Sequence, residues 1–304
     1  MPAILEFDFM LRALAAAVLI GLAAPAVGVH LVQRRLALIG DGLGHVALAG
    51  VAAGVLTSTE PVYTALVVAV LGAVAVELVR ARGRTSGDVA LAVLFYGGIA
   101  AGVVIISQAP GGTPANLNSY LFGAITTTSS QDLVVFSVLT LVILGVTRGL
   151  GRHLFAVGSD EEFARAAGLP VTALNLTLAV VTAVTVVVAM RVVGLLLVSA
   201  LMIVPVATAQ LVARSFAATA ALATALGTVT ALSGVTVSFY ADTPSGGTIV
   251  LIAIGIFVVV SVAAALRDRR RRSTTGGAGA HEVEPVAGDL ESPLGGHLGQ
   301  PTVE

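Results

Sequence analysis

An aspartate and a histidine stand four residues apart in a glycine-rich stretch of the chain, which reads Gly-Asp41-Gly-Leu-Gly-His45-Val-Ala-Leu-Ala-Gly50. Residues at this spacing on an α-helix lie one turn apart on the same face, so a helix here would present both side chains together. A carboxylate oxygen and an imidazole nitrogen suit a divalent ion such as zinc or manganese. An Asp at the centre of a membrane helix costs about 2.5–3.5 kcal/mol, which favours a functional role.

The same pair of residues also has a purely structural interpretation. Asp41 could cap the N-terminus of a helix while His45 bonds a neighbouring carbonyl, and the spacing alone leaves both interpretations open. His30 is a weaker metal candidate, either as an added polar contact in the pathway or as a histidine satisfied by a backbone carbonyl. Because the chain has no cysteine, any metal must be bound by His, Asp, Glu or carbonyl oxygen.

Three further positions are candidates for a pathway or a helix break. Gly50 and Gly54 form a GxxxG step, and Pro205 lies inside an apolar run. Small residues let helices approach closely, and they also let a pathway run beside the backbone. Close packing alone is the alternative explanation for the glycines.

A polar segment between two apolar runs is predicted to form a short capped helix. Ser159 and Glu162 match a capping box, acids sit near the positive end of the helix dipole, and Gly168 followed by Pro170 ends the helix. An exposed capped helix favours a docking role, although an ordinary ordered loop remains open. The docking candidates are Ser159, Asp160, Glu161, Glu162, Phe163, Ala164, Arg165, Ala166, Ala167 and Gly168.

The elements that must position these residues are membrane helices. The chain has 304 residues, 57% of them hydrophobic and 11% charged, and its mean hydropathy is +1.00. Its apolar runs are long enough to cross a hydrocarbon core of about 30 Å, and the alternating pattern of a membrane barrel is absent. We predict nine spans, at residues 10–32, 43–58, 62–79, 88–107, 131–147, 173–190, 193–212, 217–238 and 247–266.

Arginine positions predict the orientation of these spans. Loops that would lie on one side of the membrane hold 14 of the 16 arginines, and basic residues favour the cytoplasm. Nine spans then place the N-terminus outside and the C-terminus inside. Glu6 and Asp8 precede Arg12, so the first apolar run is predicted to be a retained span and not a signal peptide. Residues 1–272 are predicted to form the transmembrane domain, and residues 273–304 a disordered cytoplasmic tail.

The chain contains no lysine, which bears on its energy source. A P-loop of the form GxxxxGK[ST] needs a lysine on the nucleotide phosphates, so this chain is predicted not to be an ATPase of that class. If ATP drives the protein, a separate subunit must hydrolyse it.

Several stretches resemble the permease subunits of the bacterial zinc and manganese ABC importer family. They are residues 34–50, with Asp41 and His45 as their most diagnostic part, residues 158–171, and residues 194–209, which include Pro205 and Thr208. Residues 242–249, reading DTPSGGTI, resemble the family's outer loop before the last span, and Gly-Asp at 87–88 also fits. The similarity covers roughly residues 10–266.

The resemblance implies an all-α polytopic membrane protein with the fold of a type II ABC importer permease. It implies two copies of the chain around one pathway, two ABC ATPase subunits and an extracytoplasmic metal-binding protein, in the bacterial cytoplasmic (inner) membrane. Asp41 and His45 would line the ion path, and residues 159–168 would dock on the ATPase. Zinc or manganese, possibly iron, would be the cargo, with no permanently bound cofactor and no nucleic-acid partner.

Other functions remain as alternatives at this point. A siderophore or cobalamin permease would share the fold but would not need Asp41 with His45. A secondary transporter would show paired repeats and acids deep in several spans. A membrane metalloprotease would need HExxH or a comparable cluster, which the sequence lacks.

Overall fold

The computed structural model describes residues 6–82, 87–108, 117–123, 128–190, 193–195 and 197–275. Within these residues the only regular elements are helices and turns, which confirms the predicted all-α class. The helices are α1 Asp8–Gln33, α2 Ile39–Leu56, α3 Pro61–Ala81, α4 Gly87–Ser107, α5 Leu117–Phe122, α6 Ser130–Gly149, α7 Gly151–Ser159, α8 Glu161–Ala166, α9 Val171–Ala189, α10 Val198–Gln210, α11 Phe216–Ala241 and α12 Ser245–Thr275.

The chain divides into two compact units, Met1–Ala264 and Ala265–Glu304. The first unit holds α1 to α11 and the greater part of α12. In the second unit α12 continues to Thr275, so residues 273–275 are helical although they belong to the predicted tail. The rest of that tail, residues 276–304, lies outside the described residues.

Eight described helices are long and apolar enough to cross a membrane: α1, α2, α3, α4, α6, α9, α11 and α12. The predicted span at residues 193–212 needs correction, because among the residues described there only the 13 residues of α10 are helical. A helix of that length covers about 20 Å at about 1.5 Å per residue, less than a hydrocarbon core. Gly194 has φ +87°, a left-handed conformation that cannot continue a right-handed helix.

The segment around α10 nevertheless connects opposite ends of the bundle. Leu195 donates a backbone hydrogen bond of 2.9 Å to the carbonyl of Tyr120. Gly246, at the start of α12, packs directly against the carbonyl oxygen of Val193. At the other end of α11, the ring of Phe216 lies 4.8 Å from that of Phe155. The chain between α9 and α11 therefore runs from one end of α11 to the other, with α10 as a 13-residue helical part of that connection, whereas eight helices and not the predicted nine are long enough to cross a membrane among the described residues.

One end of the bundle, which we call the arginine end, is where α1, α3 and α6 end and α9 and α11 begin. Gln33 ties α1 to α7 there, because its Nε2 donates to the carbonyl of Phe155 at 3.1 Å and to Oγ of Ser159 at 3.0 Å. Arg34 Nη2 donates to Oδ1 of Asn175 on α9 at 2.5 Å. Burial, followed by the charge of Arg80, lowers the pKa of Arg34 below its ordinary value. The charged residues of this end therefore form part of its packing.

Candidate metal path and coupling helix

Helix α2 is buried on almost every side. Across its first three turns only Asp41, His45 and Leu48 are partly accessible, while all their neighbours are buried. These three residues follow the spacing i, i+4 and i+7, so they form one narrow stripe along the helix. We call this the α2 stripe. The two polar side chains predicted from the sequence are thus brought together on the open face of an otherwise enclosed helix.

The capping alternative for Asp41 does not account for its position. The N-cap of α2 is Leu38, and no side chain makes a capping hydrogen bond there. Asp41 is the third residue of the helix and lies in its first turn, where a negative charge interacts favourably with the helix dipole. The carboxylate is therefore not committed to a capping bond.

His45 is held in place by α4. Its ring lies 4.4 Å from the ring of Phe95 with an interplanar angle of 74°, an edge-to-face arrangement. Gly98 of α4 lies against the backbone of His45, and a Cβ at Gly98 would lie 2.7 Å from the His45 carbonyl carbon. The sequence did not indicate Phe95, because a contact between residues this far apart in the chain leaves no local pattern.

The glycines of α2 serve close packing. A Cβ at Gly50 would lie 2.6 Å from the Cα of Ala65 on α3, and one at Gly54 would collide with Oγ1 of Thr64. A Cβ at Gly40 would lie 2.7 Å from Oγ of Ser199 on α10. These contacts support the packing interpretation of Gly50 and Gly54, because both positions face α3 and lie outside the α2 stripe.

Pro205 does not break its helix. α10 continues from Val198 to Gln210 with Pro205 buried inside it, so the helix break predicted at this residue is wrong. The interruption lies earlier, at Gly194, where α9 has ended and α10 has not begun. A proline removes one hydrogen-bond donor, but neighbouring helices in a membrane protein can accommodate that loss.

The ligand set within one chain is small. Among the described residues, no group of three or more His, Cys, Asp or Glu side chains is placed to hold a metal ion. The α2 stripe therefore offers one carboxylate and one imidazole. Zinc in structural sites usually has four protein ligands, and catalytic zinc has three. A divalent ion at the stripe needs further ligands from water, backbone carbonyls or another chain, which suits a transit position better than permanent storage.

His30 lies elsewhere, near the C-terminal end of α1. Only 3% of it is exposed, and its ring packs 5.3 Å from that of Phe216. Its Nδ1 atom has no hydrogen-bond partner in the described part of the chain, so the predicted bond to a carbonyl is not seen at this atom. The cavity that His30 lines includes neither Asp41 nor His45. The structure therefore brings together two of the three predicted metal contacts and separates the third.

The predicted docking helix is present as α8, but its cap is different. Asp160 is the N-cap, and its Oδ1 accepts a hydrogen bond of 2.9 Å from the backbone N–H of Phe163. Ser159 instead ends α7 and donates to the carbonyl of Phe155 at 3.0 Å. The predicted capping box of Ser159 and Glu162 is therefore wrong. Asp and Ser cap helices about equally well, but Ser159 is the last residue of α7, so Asp160 takes the N-cap position of α8.

The C-terminal end of α8 follows the prediction. Gly168 has φ +81°, its N–H donates to the carbonyl of Arg165, and Leu169 donates to the carbonyl of Ala164. This pair of bonds is a Schellman motif, which needs a residue in the left-handed conformation. Phe163 is 71% exposed on this short helix. A large apolar side chain held outward by a rigid, double-capped helix is available to a partner.

A polar cavity of about 210 Å³ lies between α8 and the membrane helices. Its walls include Glu161 and Arg165 of α8, Glu77 and Arg80 of α3, and Asn175 of α9. Arg80 pairs with the buried Glu77 at 3.5 Å, and Arg165 pairs with Glu161 at 3.0 Å. Each of these ion pairs lies within one helix, and the cavity brings the charges of α8 and α3 close to Asn175 of α9.

Comparison with known proteins finds relatives that are named for metal transport or uptake. A protein of Treponema pallidum named as a probable metal transport system membrane protein is 33% identical over 60% of this chain and 67% of its own length. The manganese transport system membrane protein MntC of Halalkalibacterium halodurans is 31% identical over 84% of this chain and 87% of its own length. The high-affinity zinc uptake system membrane protein ZnuB of Haemophilus influenzae is 26% identical over 59% of this chain and 68% of its own length.

The fold is also found in a solved structure. In the structure of PsaBC from Streptococcus pneumoniae in complex with Fab, one chain superposes with a TM-score of 0.76 at 28% identity, covering 85% of this chain and 92% of that one. The sequence pattern of the ABC 3 transport family matches residues 6–264, which include the α2 stripe, α8 and all the described helices except the C-terminal part of α12. The chain belongs to the ABC 3 transport family.

Proposed function

We propose that this chain is the membrane-spanning subunit of an ATP-driven importer for a divalent transition-metal ion, zinc or manganese. The observation that carries the proposal is the α2 stripe, where Asp41 and His45 are the only polar side chains accessible along the first three turns of an enclosed helix. Oxygen and nitrogen ligands together suit both ions. The relatives named for manganese transport and zinc uptake support the same cargo class.

The small ligand set supports a symmetric pair of chains. One stripe supplies two ligands, so two stripes facing each other would supply two carboxylates and two imidazoles, enough for a four-ligand site. Homo-oligomers of this kind are most often two-fold symmetric, which would place the ion on the axis. The second copy, two ABC ATPase subunits and an extracytoplasmic metal-binding protein are the proposed partners.

The ATPase subunits would act through α8. The exposed Phe163 supplies an apolar anchor. Behind α8, residues of α8, α3 and α9 line the same polar cavity. Movement of the docked ATPase would thus change the position of membrane helices that pack against α2. The absence of lysine agrees with ATP hydrolysis by a separate subunit, since this chain cannot form a P-loop.

The proposal is tested by metal uptake in a bacterium that lacks its own zinc and manganese importers. Co-expression of this chain with its ATPase and binding protein should restore accumulation of radioactive zinc or manganese. The control is the same strain carrying an ATPase with its P-loop lysine replaced. Restored uptake of a ferric siderophore or cobalamin, without uptake of the free ions, would favour the metal-chelate alternative instead.

The orientation is a separate prediction. We expect the arginine end to face the cytoplasm because it carries the basic residues, and the loop at Asp242 to face outside. In this cysteine-free chain, Asp242→Cys should react with an impermeant maleimide added to intact cells, whereas Ser159→Cys should react only after the membrane is opened. Both residues lie at exposed helix ends, so the two variants are matched controls. Labelling of Ser159→Cys in intact cells would reverse the orientation.

A further inference from the structure

A cavity of about 850 Å³ opens at the arginine end between α1, α6, α7 and α11. Its volume is within the range of about 300–1,000 Å³ typical of ligand pockets. None of its lining residues belongs to α2 or α8, so neither the metal path nor the coupling helix accounts for it. The lining includes His30, Arg148, Arg152, Phe155, Phe216 and Ala221.

The charge of this cavity is entirely positive. Arg148 and Arg152 line it, no lining residue is acidic, and neither arginine has an acidic partner within 4.0 Å in the part of the chain that the structure describes. Both arginines are exposed at the point where α6 ends and α7 begins. Two unpaired guanidinium groups at one mouth are suited to a phosphate, which they can bind in bidentate fashion.

The other lining residues are apolar, or their polar groups already form hydrogen bonds within the protein. Thr147 and Thr224 each donate a hydroxyl to a carbonyl of their own helix at 2.8 Å, so these hydroxyls are not free for a ligand. His30 is the exception, since it is buried and its Nδ1 atom has no hydrogen-bond partner among the described residues. The Nδ1 atom itself has almost no accessible surface, so the cavity combines a cationic mouth with a wall that is otherwise apolar.

We propose that this cavity binds one anionic glycerophospholipid, with its phosphate on Arg148 and Arg152 and an acyl chain along α1 and α11. The placement fits, because α1, α6 and α11 are long and apolar enough to cross a membrane and the cavity lies toward one end of each of them. Basic pockets between membrane helices are the sites that anionic lipid headgroups occupy.

The experiment measures lipid binding by native mass spectrometry on the full chain in complex with its ATPase. Phosphatidylglycerol, phosphatidylcholine and free glycerol 3-phosphate are added separately to the complex in detergent. We expect retention of phosphatidylglycerol and little retention of the other two. The double variant Arg148→Gln/Arg152→Gln should bind phosphatidylglycerol about 30-fold more weakly, since each basic residue near an anionic surface contributes to binding. The matched control is Arg35→Gln/Arg82→Gln, which removes two exposed arginines outside the cavity.

A second variant tests the apolar wall without touching a charge. Ala221→Trp should fill the space along α11 and weaken phosphatidylglycerol binding while leaving both arginines in place. Equal binding of glycerol 3-phosphate and the intact lipid would show that the cavity recognises a phosphate and not a lipid, which would overturn the proposal. Binding by the isolated chain that is lost in the assembled complex would assign the cavity to a protein partner, and it would overturn the proposal as well. Neither result depends on which metal is carried.

Discussion

Replacing Asp41 with asparagine is expected to reduce metal uptake by about tenfold or more. Removal of a residue that only supports a metal ligand already costs about tenfold to a hundredfold, and Asp41 would contact the ion directly. Asparagine has nearly the same shape but lacks the negative charge that attracts a divalent cation. Because Asp41 makes no capping bond and is partly accessible, the fold should change little, within about 0.5 kcal/mol. Uptake and melting temperature are measured on the same preparations.

His45→Leu should give a similar loss of uptake. The leucine keeps an apolar contact with Phe95 and removes the imidazole. If both residues hold the same ion, the double variant should be little worse than either single variant, because residues that act as one unit are not additive. The control is Glu60→Gln, which neutralises an exposed carboxylate just before α3.

The opposite pattern would point to a structural role. If Asp41→Asn transports metal at the rate of the parent chain, the carboxylate is not part of the ion path. If the loss in His45→Leu follows a lower melting temperature, the imidazole matters for packing against α4 and not for the cargo. Measuring both quantities separates these cases, which uptake alone would not.

The spans were predictable from sequence because they depend on a local property. A run of apolar residues long enough to cross a bilayer forms a helix regardless of its neighbours, since lipid offers no other partner for the backbone. The exception at α10 has a non-local cause. Gly194 turns where its backbone packs against the carbonyl of Leu121, a contact between segments that are distant in the chain. No hydropathy window contains that information.

The candidate site was predictable in part for the same reason. Asp41 and His45 share a face because of helical periodicity, which the sequence contains, and the structure adds that this face is the accessible one. The cap of α8 was mistaken because Ser159 and Asp160 are adjacent and equally able to cap, so only the extent of α7 decides between them. The cavity at His30 needs four helices to meet, and no single segment predicts it.

The proposed coupling role of α8 leads to the second large effect. A helix of six residues has little stability of its own, yet α8 is fixed at its start by Asp160 and at its end by the Schellman motif at Gly168. Such a helix can present Phe163 in one orientation. Buried aromatic anchors are the residues whose loss costs a protein interface most, at about 2 kcal/mol or more.

Phe163→Asp is therefore expected to weaken docking of the ATPase by about 30-fold or more, the factor equivalent to that interface cost. Stimulation of ATP hydrolysis by the metal-binding protein should be lost in the reconstituted complex, while the fold survives because Phe163 is 71% exposed. Phe163→Leu is the matched control, since it keeps an apolar side chain and should retain most of the stimulation. ATP hydrolysis is measured with and without the binding protein, together with the amount of ATPase that co-purifies. If Phe163→Asp keeps full stimulation and full co-purification, the ATPase must dock on another part of the chain.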